Sequence, residues 1–364
     1  MNVKRVDVQI GSRTIGDDQP TFLCFELGPT HDGLTNAFEL INKAGAAGID
    51  AVKLQIIDTD RLVSDRKQLF TYSILNPNSG QLQKKTEPLY DILKRRQLSE
   101  RELEKIAEKI SSMGMEFFAT VSYEEDIELV KSLECASVKI ASADVNHAPL
   151  LRSAARSGMS VQLDTGNSTI EEIGYAVDLL ESENCYSIII HHCPSGYPAY
   201  LQSISLRTIS KIQKTFKYPV AFSDHSAGID MNIAAVSLGA SLIEKTVTRD
   251  RTTPSVEHCF SLEPDEFESF VVRIRELEVA LGTNGDRVLS DEQIEARLKL
   301  RRSVFSARDA EAGTSIGELK VDYRRPGHGI PPNDWEDLCK SDRYLNKTVA
   351  AGEMLTLDMF DTVR

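Results

Sequence analysis

Two lysines, Lys53 and Lys139, stand among apolar residues in segments typical of buried β-strands. An ammonium group inside such a strand is costly unless it is paired or binds an anion. The two lysines are therefore predicted to hold a carboxylate or a phosphate. Two alternatives stay open at this point. The lysines pair with Glu26, Asp144 or Glu244 in a structural network, or one of them forms a Schiff base with a carbonyl substrate.

A second centre of chemistry is His225, in the stretch Phe222-Ser223-Asp224-His225-Ser226. The polar residues begin directly after the apolar run 218–221, and an Ala-rich helix is predicted over 230–238. In a repeating strand–helix architecture this junction faces the active site. His225 is therefore the best single candidate for a metal ligand. The alternative, a histidine that caps the helix or satisfies hydrogen bonds of the loop, stays open.

The elements that must position these residues follow a regular rhythm of short apolar runs and amphipathic helices. Eight strands are predicted to begin near residues 21, 50, 115, 137, 160, 186, 219 and 241. Alternation of strands and helices implies a parallel sheet, and eight repeats imply closure into a (βα)8 TIM barrel. The best-marked helix, over 99–113, starts with Ser99 and Glu102 at capping-box spacing. An insert at 58–97, turn-rich at 76–80, is expected to form a lid or rim loop.

Polar residues at the carboxyl ends of the eight predicted strands are expected to share one pocket. They are Glu26, Lys53, Gln55, Thr120, Lys139, Ser142, Asp144, Asp164, Thr165, His191, His192, Ser195, Tyr197, Ser223, Asp224, His225, Glu244 and Lys245.

After Leu281 the sequence pattern changes, and three parts are expected. They are a barrel domain at 1–284, a linker at 285–302 and a β-rich module at 303–364. A turn is expected at 282–286, and a charged helix or linker at 290–300. A module of this size buries little surface by itself. It is expected to pack against this chain or a partner.

The composition excludes some function classes. The formal net charge of -13 argues against a general nucleic-acid binder, because phosphate contacts need a basic surface. The six cysteines include no CxxC pair, so neither a zinc ribbon nor a disulfide scaffold is indicated. The polar N-terminus is unlike a signal peptide, and no apolar run approaches the ~20 residues of a membrane span. A cytoplasmic protein with reduced thiols is expected.

Seven segments together resemble the sialic acid (nonulosonate) synthase family. They are Phe25-Glu26-Leu27-Gly28 with His31-Asp32-Gly33; Ala44-Gly45 through Ala51-Val52-Lys53-Leu54-Gln55; Val138-Lys139-Ile140-Ala141-Ser142; His192-Cys193-Pro194-Ser195-Gly196-Tyr197-Pro198; Ser223-Asp224-His225; Ser261-Leu262-Glu263-Pro264-Asp265-Glu266-Phe267; and Arg325-Pro326-Gly327-His328-Gly329-Ile330. The resemblance covers nearly the whole chain, and the C-terminal module is similar to the family's antifreeze-like (SAF) domain.

The resemblance implies a transferase that condenses phosphoenolpyruvate with an N-acetylated sugar aldehyde similar to N-acetylmannosamine. A legionaminate-type, pseudaminate-type or phosphorylated-sugar acceptor, or a catalytically silent sugar-acid-binding relative, remains an alternative. The family's metal would be Mn²⁺ or Mg²⁺, and its homodimer is domain-swapped. The implied catalytic residues are Glu26, Lys53, Lys139 and Asp144; the substrate-binding residues are Gln55, Ser142, Thr165, Ser195, Tyr197, Ser223, Glu257 and Arg325; the metal ligands are His225 and His258.

Within these roles, the phosphoenolpyruvate anion would be held by Lys53, Lys139, Ser142 and Ser223. Arg325 would reach the acceptor sugar from the other subunit.

The chain also departs from the family pattern. Thr246 stands where the family has a second metal histidine, Asp164 where it has Ser, and Gly196 where it has Asn. Asp144 stands where the family has the longer Glu, and Glu257 stands where it has the shorter Asp. His258, after strand eight, is the favoured replacement ligand; the alternative is a surface loop residue.

Overall fold

The computed structural model describes residues 5–282 and 287–362. The chain divides into two compact units, Met1–Asn284 and Gly285–Arg364. Most of the turn expected at 282–286 lies outside the described residues.

Eight parallel strands of the first unit close into a barrel, which confirms the predicted fold class. The strands of this unit are β1 (Val8–Ile10), β2 (Arg13–Ile15), β3 (Phe22–Glu26), β4 (Ala51–Gln55), β5 (Leu69–Leu75), β6 (Leu82–Pro88), β7 (Glu116–Val121), β8 (Ser137–Ile140), β9 (Ser160–Asp164), β10 (Ile188–His192), β11 (Val220–Asp224) and β12 (Leu242–Thr246). The barrel runs β3-β4-β7-β8-β9-β10-β11-β12, and β12 pairs back with β3. Most of these strands are buried on both faces, as their unbroken apolar runs require.

Helices cover the outside of the barrel. They are α1 (Leu34–Ala47), α2 (Thr59–Leu62), α3 (Leu89–Arg96), α4 (Glu100–Ser112), α5 (Glu124–Ser132), α6 (Ala148–Arg156), α7 (Ile170–Ser182), α8 (Leu201–Ile204), α9 (Arg207–Thr215), α10 (Asp230–Ser237) and α11 (Phe267–Leu281). The capping box predicted for α4 is present, because the Glu102 carboxylate accepts from the Ser99 backbone N–H at 2.9 Å and from its hydroxyl at 2.7 Å. The principal core fills the layer between strands and helices, with Leu40, Ile106 and Ile243 fully buried.

The amino-terminal end of the barrel is closed by an antiparallel hairpin of β1 and β2, which the sequence pattern did not predict. Its apolar side chains Val8, Ile10 and Ile15 pack with Phe22 and Ile189 at the floor of the barrel. The floor is therefore apolar, and the polar strand ends lie at the opposite, carboxyl end.

The insert at 58–97, expected to form a lid or rim loop, contains regular secondary structure. Its strands β5 and β6 form an antiparallel hairpin, and α3 follows. Asn76 makes the turn, because its side-chain oxygen accepts from the backbone N–H of Asn78 at 2.8 Å. Tyr72, Ile92 and Val256 form a small buried cluster that ties the hairpin to the segment after β12.

Within residues 287–362 the second unit has four strands in two antiparallel pairs, β13 (Ser303–Ser306) with β14 (Val321–Arg324) and β15 (Arg343–Leu345) with β16 (Phe360–Thr362). Its helices are α12 (Asp291–Leu300) and α13 (Pro332–Leu338). Val304, Trp335 and Phe360 are central to its core. The segment expected as a linker contains α12, whose Leu298 carbonyl accepts from the Gly327 N–H at 2.7 Å. The likeness to an antifreeze-like domain stays a prediction.

None of the helices in the described ranges is long and apolar enough to cross a membrane. All six cysteines lie in the described ranges and are free thiols, and Cys339 alone among them is exposed.

Candidate active site

The polar ends of the barrel strands form one buried network. The register of the strands sets the level of each side chain along the barrel axis. Glu26 of β3 is level with Lys53 of β4, and Ser223 of β11 is level with Glu244 of β12. The members of the network are Glu26, Lys53, Lys139, Asp164, His191, Ser223 and Glu244, all of them buried.

Lys53 is paired with two carboxylates. Its Nζ atom lies 2.7 Å from Oε1 of Glu244 and also contacts Oε2 of Glu26. Burial alone would lower the pKa of Lys53, but Glu244, Glu26 and the more distant Asp164 raise it well above its ordinary value. Lys53 is therefore a fixed cation.

Lys139 is fully buried and has three partners. Its Nζ atom lies 2.6 Å from Oε2 of Glu244, 2.9 Å from Oδ2 of Asp164 and 3.0 Å from Oγ of Ser223. Glu244 thus bridges the two lysines. The pairing of both lysines agrees with the structural-network alternative for Glu26 and Glu244, with Asp164 in the place expected for Asp144.

The three carboxylates differ in how readily they take a proton. Burial raises the pKa of Glu26 above its ordinary value, although Lys53 opposes this effect. Burial would also raise the pKa of Glu244, but Lys139 and Lys53 lower it. Burial would raise the pKa of Asp164 in the same way, but Lys139 and other nearby positive groups together lower it. Glu26 is the member of the set most able to accept a proton.

His191 extends the network on one side. Its Nδ1 atom lies 2.8 Å from Oγ of Ser223, and its Nε2 atom lies 2.9 Å from Oε1 of Gln162. Burial, reinforced by the charge of Lys139, lowers the pKa of His191 to about 3. The imidazole is therefore neutral and positions Ser223.

A cavity of about 320 Å³ opens at this end of the barrel. Its polar lining comes from the loops after β8, β9, β10 and β11 and from the β5–β6 hairpin, and none of its described lining residues is acidic. The lining comprises Phe70, Thr71, Lys84, Ser142, Asn167, Cys193, Ser195, Gly196, Tyr197, Pro198, Tyr200 and His225. It therefore contains four of the predicted site residues and suits an anionic or neutral polar ligand.

Gly166 lies where neighbouring loops approach closely beside this cavity. A Cβ atom at this position would lie 3.0 Å from the carbonyl oxygen of Cys193 and 3.1 Å from Oγ of Ser142. The absence of a side chain lets Ser142 stand close to the loop after β9.

His225 is the imidazole that faces the cavity. Its Nδ1 atom lies 3.1 Å from the carbonyl oxygen of Pro194, and its ring lies 4.9 Å from that of Tyr197. A histidine whose Nδ1–H donates to a carbonyl presents Nε2 to a ligand, as metal-binding histidines do. Burial raises the pKa of Tyr197, so its phenol stays protonated.

His258 has different surroundings. It is fully buried, its Nδ1 atom lies 2.7 Å from Oγ1 of Thr248, and its Nε2 atom lies 3.9 Å from Oδ1 of Asp32. Nε2 has no hydrogen-bond partner within the described ranges. Burial and the nearby guanidinium of Arg96 lower the pKa of His258 to about 4. The surface-loop alternative is wrong, because the residue is buried.

The donor atoms that the fold brings together bear on the predicted metal site. Among residues 5–282 and 287–362, the one group of three or more close His, Cys, Asp or Glu ligand atoms is Glu263, Asp265 and Glu266, and this group contains neither predicted histidine. His225 thus offers one suitably oriented ligand without an assembled site around it. The pair His225 and His258 stays a prediction.

The remaining predicted residues lie around the network. Gln55 donates to Oε2 of Glu26 at 3.3 Å, and Thr165 donates to the His191 carbonyl oxygen at 2.7 Å. Glu257 is buried, with its Oε1 atom 3.9 Å from Nη1 of Arg96.

Two predicted residues stand apart from these contacts. Asp144 is half-buried in a short 3₁₀ turn, where burial raises its pKa, and no ion pair within the described ranges links it to either lysine. Arg325 belongs to the second unit, where it is exposed and follows β14.

Residues 40–286 match the model of the NeuB family. This chain belongs to the NeuB family. It is 32% identical over 351 residues to N,N'-diacetyllegionaminic acid synthase of Legionella pneumophila, covering 95% of this chain and 96% of that protein. It is 29% identical over 330 residues to human N-acetylneuraminate-9-phosphate synthase, covering 88% of each.

A solved structure supports the same assignment. The N-acetylneuraminic acid (sialic acid) synthetase of Leptospira borgpetersenii superposes with a TM-score of 0.70 at 27% identity, covering 82% of this chain and 99% of that one. The family predicted from the seven sequence segments is therefore confirmed, together with its barrel.

Sequence reasoning missed two contacts of this NeuB-family barrel. The first is the contact of Asp164 with Lys139, because the sequence names Asp144 rather than Asp164 as a possible partner of the lysines. The second is Arg96, the buried neighbour of Glu257, whose place in the insert offered no periodic signal.

Proposed function

We propose that this protein is a nonulosonate synthase, which condenses phosphoenolpyruvate with the aldehyde form of an N-acetylated amino sugar and releases phosphate. Membership of the NeuB family supports the reaction class. The observation that carries the proposal is the connected network of Glu26, Gln55, Lys53, Lys139 and Ser223 at the carboxyl end of the barrel.

The proposed chemistry forms one carbon–carbon bond. The methylene carbon of phosphoenolpyruvate attacks the aldehyde carbon, and the former enol carbon becomes cationic. Water adds to that carbon, and the tetrahedral intermediate expels phosphate with cleavage of its C–O bond. A carboxylate near the cation stabilises it and orients the water.

Glu26 is assigned to the cationic carbon. Its Oε1 atom is fixed by the Gly28 N–H at 2.6 Å, and Gln55 and Lys53 hold its Oε2 atom. Because burial raises its pKa, Glu26 can also accept the proton of the attacking water.

The lysines act as cations in this scheme, not as nucleophiles. An amine must lose its proton before it forms a Schiff base, and the raised pKa of Lys53 opposes this loss. Lys53 and Lys139 are assigned to the phosphoenolpyruvate anion together with Ser142 and Ser223, as the family resemblance implies.

The proposal extends to a divalent cation, Mn²⁺ or Mg²⁺, with His225 as a ligand. When bound, such a cation polarises the aldehyde oxygen. Asp144 is assigned to catalysis, as the family resemblance implies. Substrate contacts are assigned to Thr165, Ser195, Tyr197, Glu257 and Arg325, and the protein is proposed to act as a domain-swapped homodimer.

Phosphate release from phosphoenolpyruvate tests the proposal directly. The acceptor panel consists of the six-carbon amino sugars obtained by removing three carbons from neuraminate, legionaminate and pseudaminate, with and without a terminal phosphate. Acceptor-dependent phosphate release that requires Mn²⁺ or Mg²⁺ is expected. Binding of a sugar acid without any turnover would identify a silent relative instead, and trapping of a lysine by borohydride would identify a lyase.

A further inference from the structure

We propose that Asp164 is a built-in anion that competes with the substrate for Lys139 and Ser223, and so determines which charge states of a phosphate-bearing ligand the barrel accepts. This inference rests on the proposed function in one respect, the assignment of Lys139 and Ser223 to the substrate anion.

The contacts of Asp164 match those that a bound anion would make. Oδ2 lies 2.9 Å from Nζ of Lys139, and Oδ1 accepts from the Ser223 hydroxyl at 3.0 Å. Oδ1 also lies 3.7 Å from Nδ1 of His191. One carboxylate therefore contacts both of the groups assigned to the substrate and a third polar group behind them.

The charge balance leaves no surplus for a dianion. Within residues 5–282, the ammonium groups of Lys53 and Lys139 directly contact three carboxylates, those of Glu26, Glu244 and Asp164. The neighbouring His191 is neutral, so the ionised network carries one net negative charge. All five side chains are buried, and like charges repel strongly where little water screens them.

A phosphate dianion can enter such a site in two ways. It displaces Asp164 from Lys139, or the network takes up a proton as the anion binds. Glu26 is the readiest acceptor, because burial raises its pKa. The second route weakens binding as the pH rises, because it takes up a proton, and both routes depend on the carboxylate at position 164.

The test measures binding of inorganic phosphate and of phosphoenolpyruvate by calorimetry. The full chain is compared with D164S, which keeps a hydroxyl, and D164N, which keeps the size and one acceptor oxygen. Both variants are expected to bind phosphate at least about tenfold more tightly at pH 8, because one buried like charge is removed. Repetition in buffers with different heats of ionisation is expected to show proton uptake by the parent protein and less uptake by the variants.

Asp50 supplies the matched control, because it is a buried, ion-paired aspartate at the start of β4, at the other end of the barrel. D50N is expected to leave phosphate affinity unchanged. Circular dichroism and thermal unfolding verify that each variant is folded, and D164N serves if D164S does not fold.

The inference is overturned if folded D164S or D164N binds phosphate no more tightly than the parent protein, including the case in which none of them binds it. Turnover assays separate this outcome from the fate of the proposed function. Turnover by the parent without tighter phosphate binding in the variants removes only the inference. Tighter binding without turnover by any of the proteins removes only the synthase.

Discussion

The Glu244 carboxylate and the Lys139 ammonium group lie 2.6 Å apart inside the barrel, where the Lys139 side chain is fully buried and that of Glu244 is 5% exposed. A buried pair of this kind adds little net stability compared with an apolar pair, but loss of one partner leaves an uncompensated charge in the core. Because Glu244 also bridges to Lys53, its removal affects two cations at once.

We therefore expect E244Q to lower the free energy of unfolding by about 3–5 kcal/mol. Denaturant titration followed by circular dichroism measures the change. The matched control is E125Q, which disrupts the exposed pair of Glu125 with Arg61 and should change the free energy of unfolding little, because solvent screens this pair. Equal effects of the two substitutions would show that the bridge is not a structural element of the barrel.

The sequence predicts the barrel well because most of its strands are buried on both faces and read as apolar runs. Polar residues follow these runs, so the residues that share the pocket were also predictable. Their partners are predictable only in part, because the sequence names Glu26 and Glu244 as possible partners of the lysines but not Asp164. Which carboxylate meets Lys139 depends on how β8, β9 and β12 are staggered around the closed barrel, and this stagger has no local signature.

The hairpin of β1 and β2 illustrates a second limit. Its strands have three residues each, which is too short for alternation to be recognised. The insert at 58–97 shows a related limit, because the sequence predicts its turn but not its paired strands. Its turn residues are recognisable, but buried and exposed side chains alternate little along β5 and β6, because much of the hairpin is exposed.

Acid should destabilise the protein partly through His191. Its folded pKa of about 3 lies below the ordinary value of 6.5, so between these limits the unfolded chain binds a proton that the folded chain does not. Stability from this residue is complete above pH 6.5 and is lost as the pH falls toward 3, by about 1.4 kcal/mol per pH unit within that window.

Unfolding free energies measured from pH 7 to pH 4 test this expectation. H191Q removes the titrating group and should flatten the pH dependence relative to the parent protein. The exposed H328Q should keep the parent slope. An unchanged slope in H191Q would mean that His191 is not the source of the acid sensitivity.

Gly166 should matter for substrate binding more than for folding. In G166A the new methyl group meets the Cys193 carbonyl and the Ser142 hydroxyl, so one of these two cavity-lining residues must shift by a few tenths of an ångström. We expect KM for phosphoenolpyruvate to rise about tenfold or more, with a small change in thermal unfolding.

Gly174 provides the control for this substitution. It lies in α7, where a Cβ atom would meet nothing within 4 Å. G174A should leave KM unchanged and stabilise the helix by up to about 1 kcal/mol. A normal KM in G166A would show that the position of Ser142 does not control the binding of phosphoenolpyruvate.

The two predicted metal ligands should respond differently to substitution if their surroundings decide which of them binds a cation. His225 presents Nε2 toward the cavity, whereas His258 is buried beside the guanidinium of Arg96, whose positive charge opposes a second cation. We expect H225A to lose most of its bound Mn²⁺, measured by elemental analysis after dialysis and by the spin-resonance signal of free Mn²⁺. H147A, which changes a loop residue, should keep the Mn²⁺ content of the parent protein.

Full retention of Mn²⁺ by H258A would remove that residue as a ligand. Parallel losses of Mn²⁺ in H225A and H258A would mean that metal binding overcomes the repulsion from Arg96 and draws both histidines together.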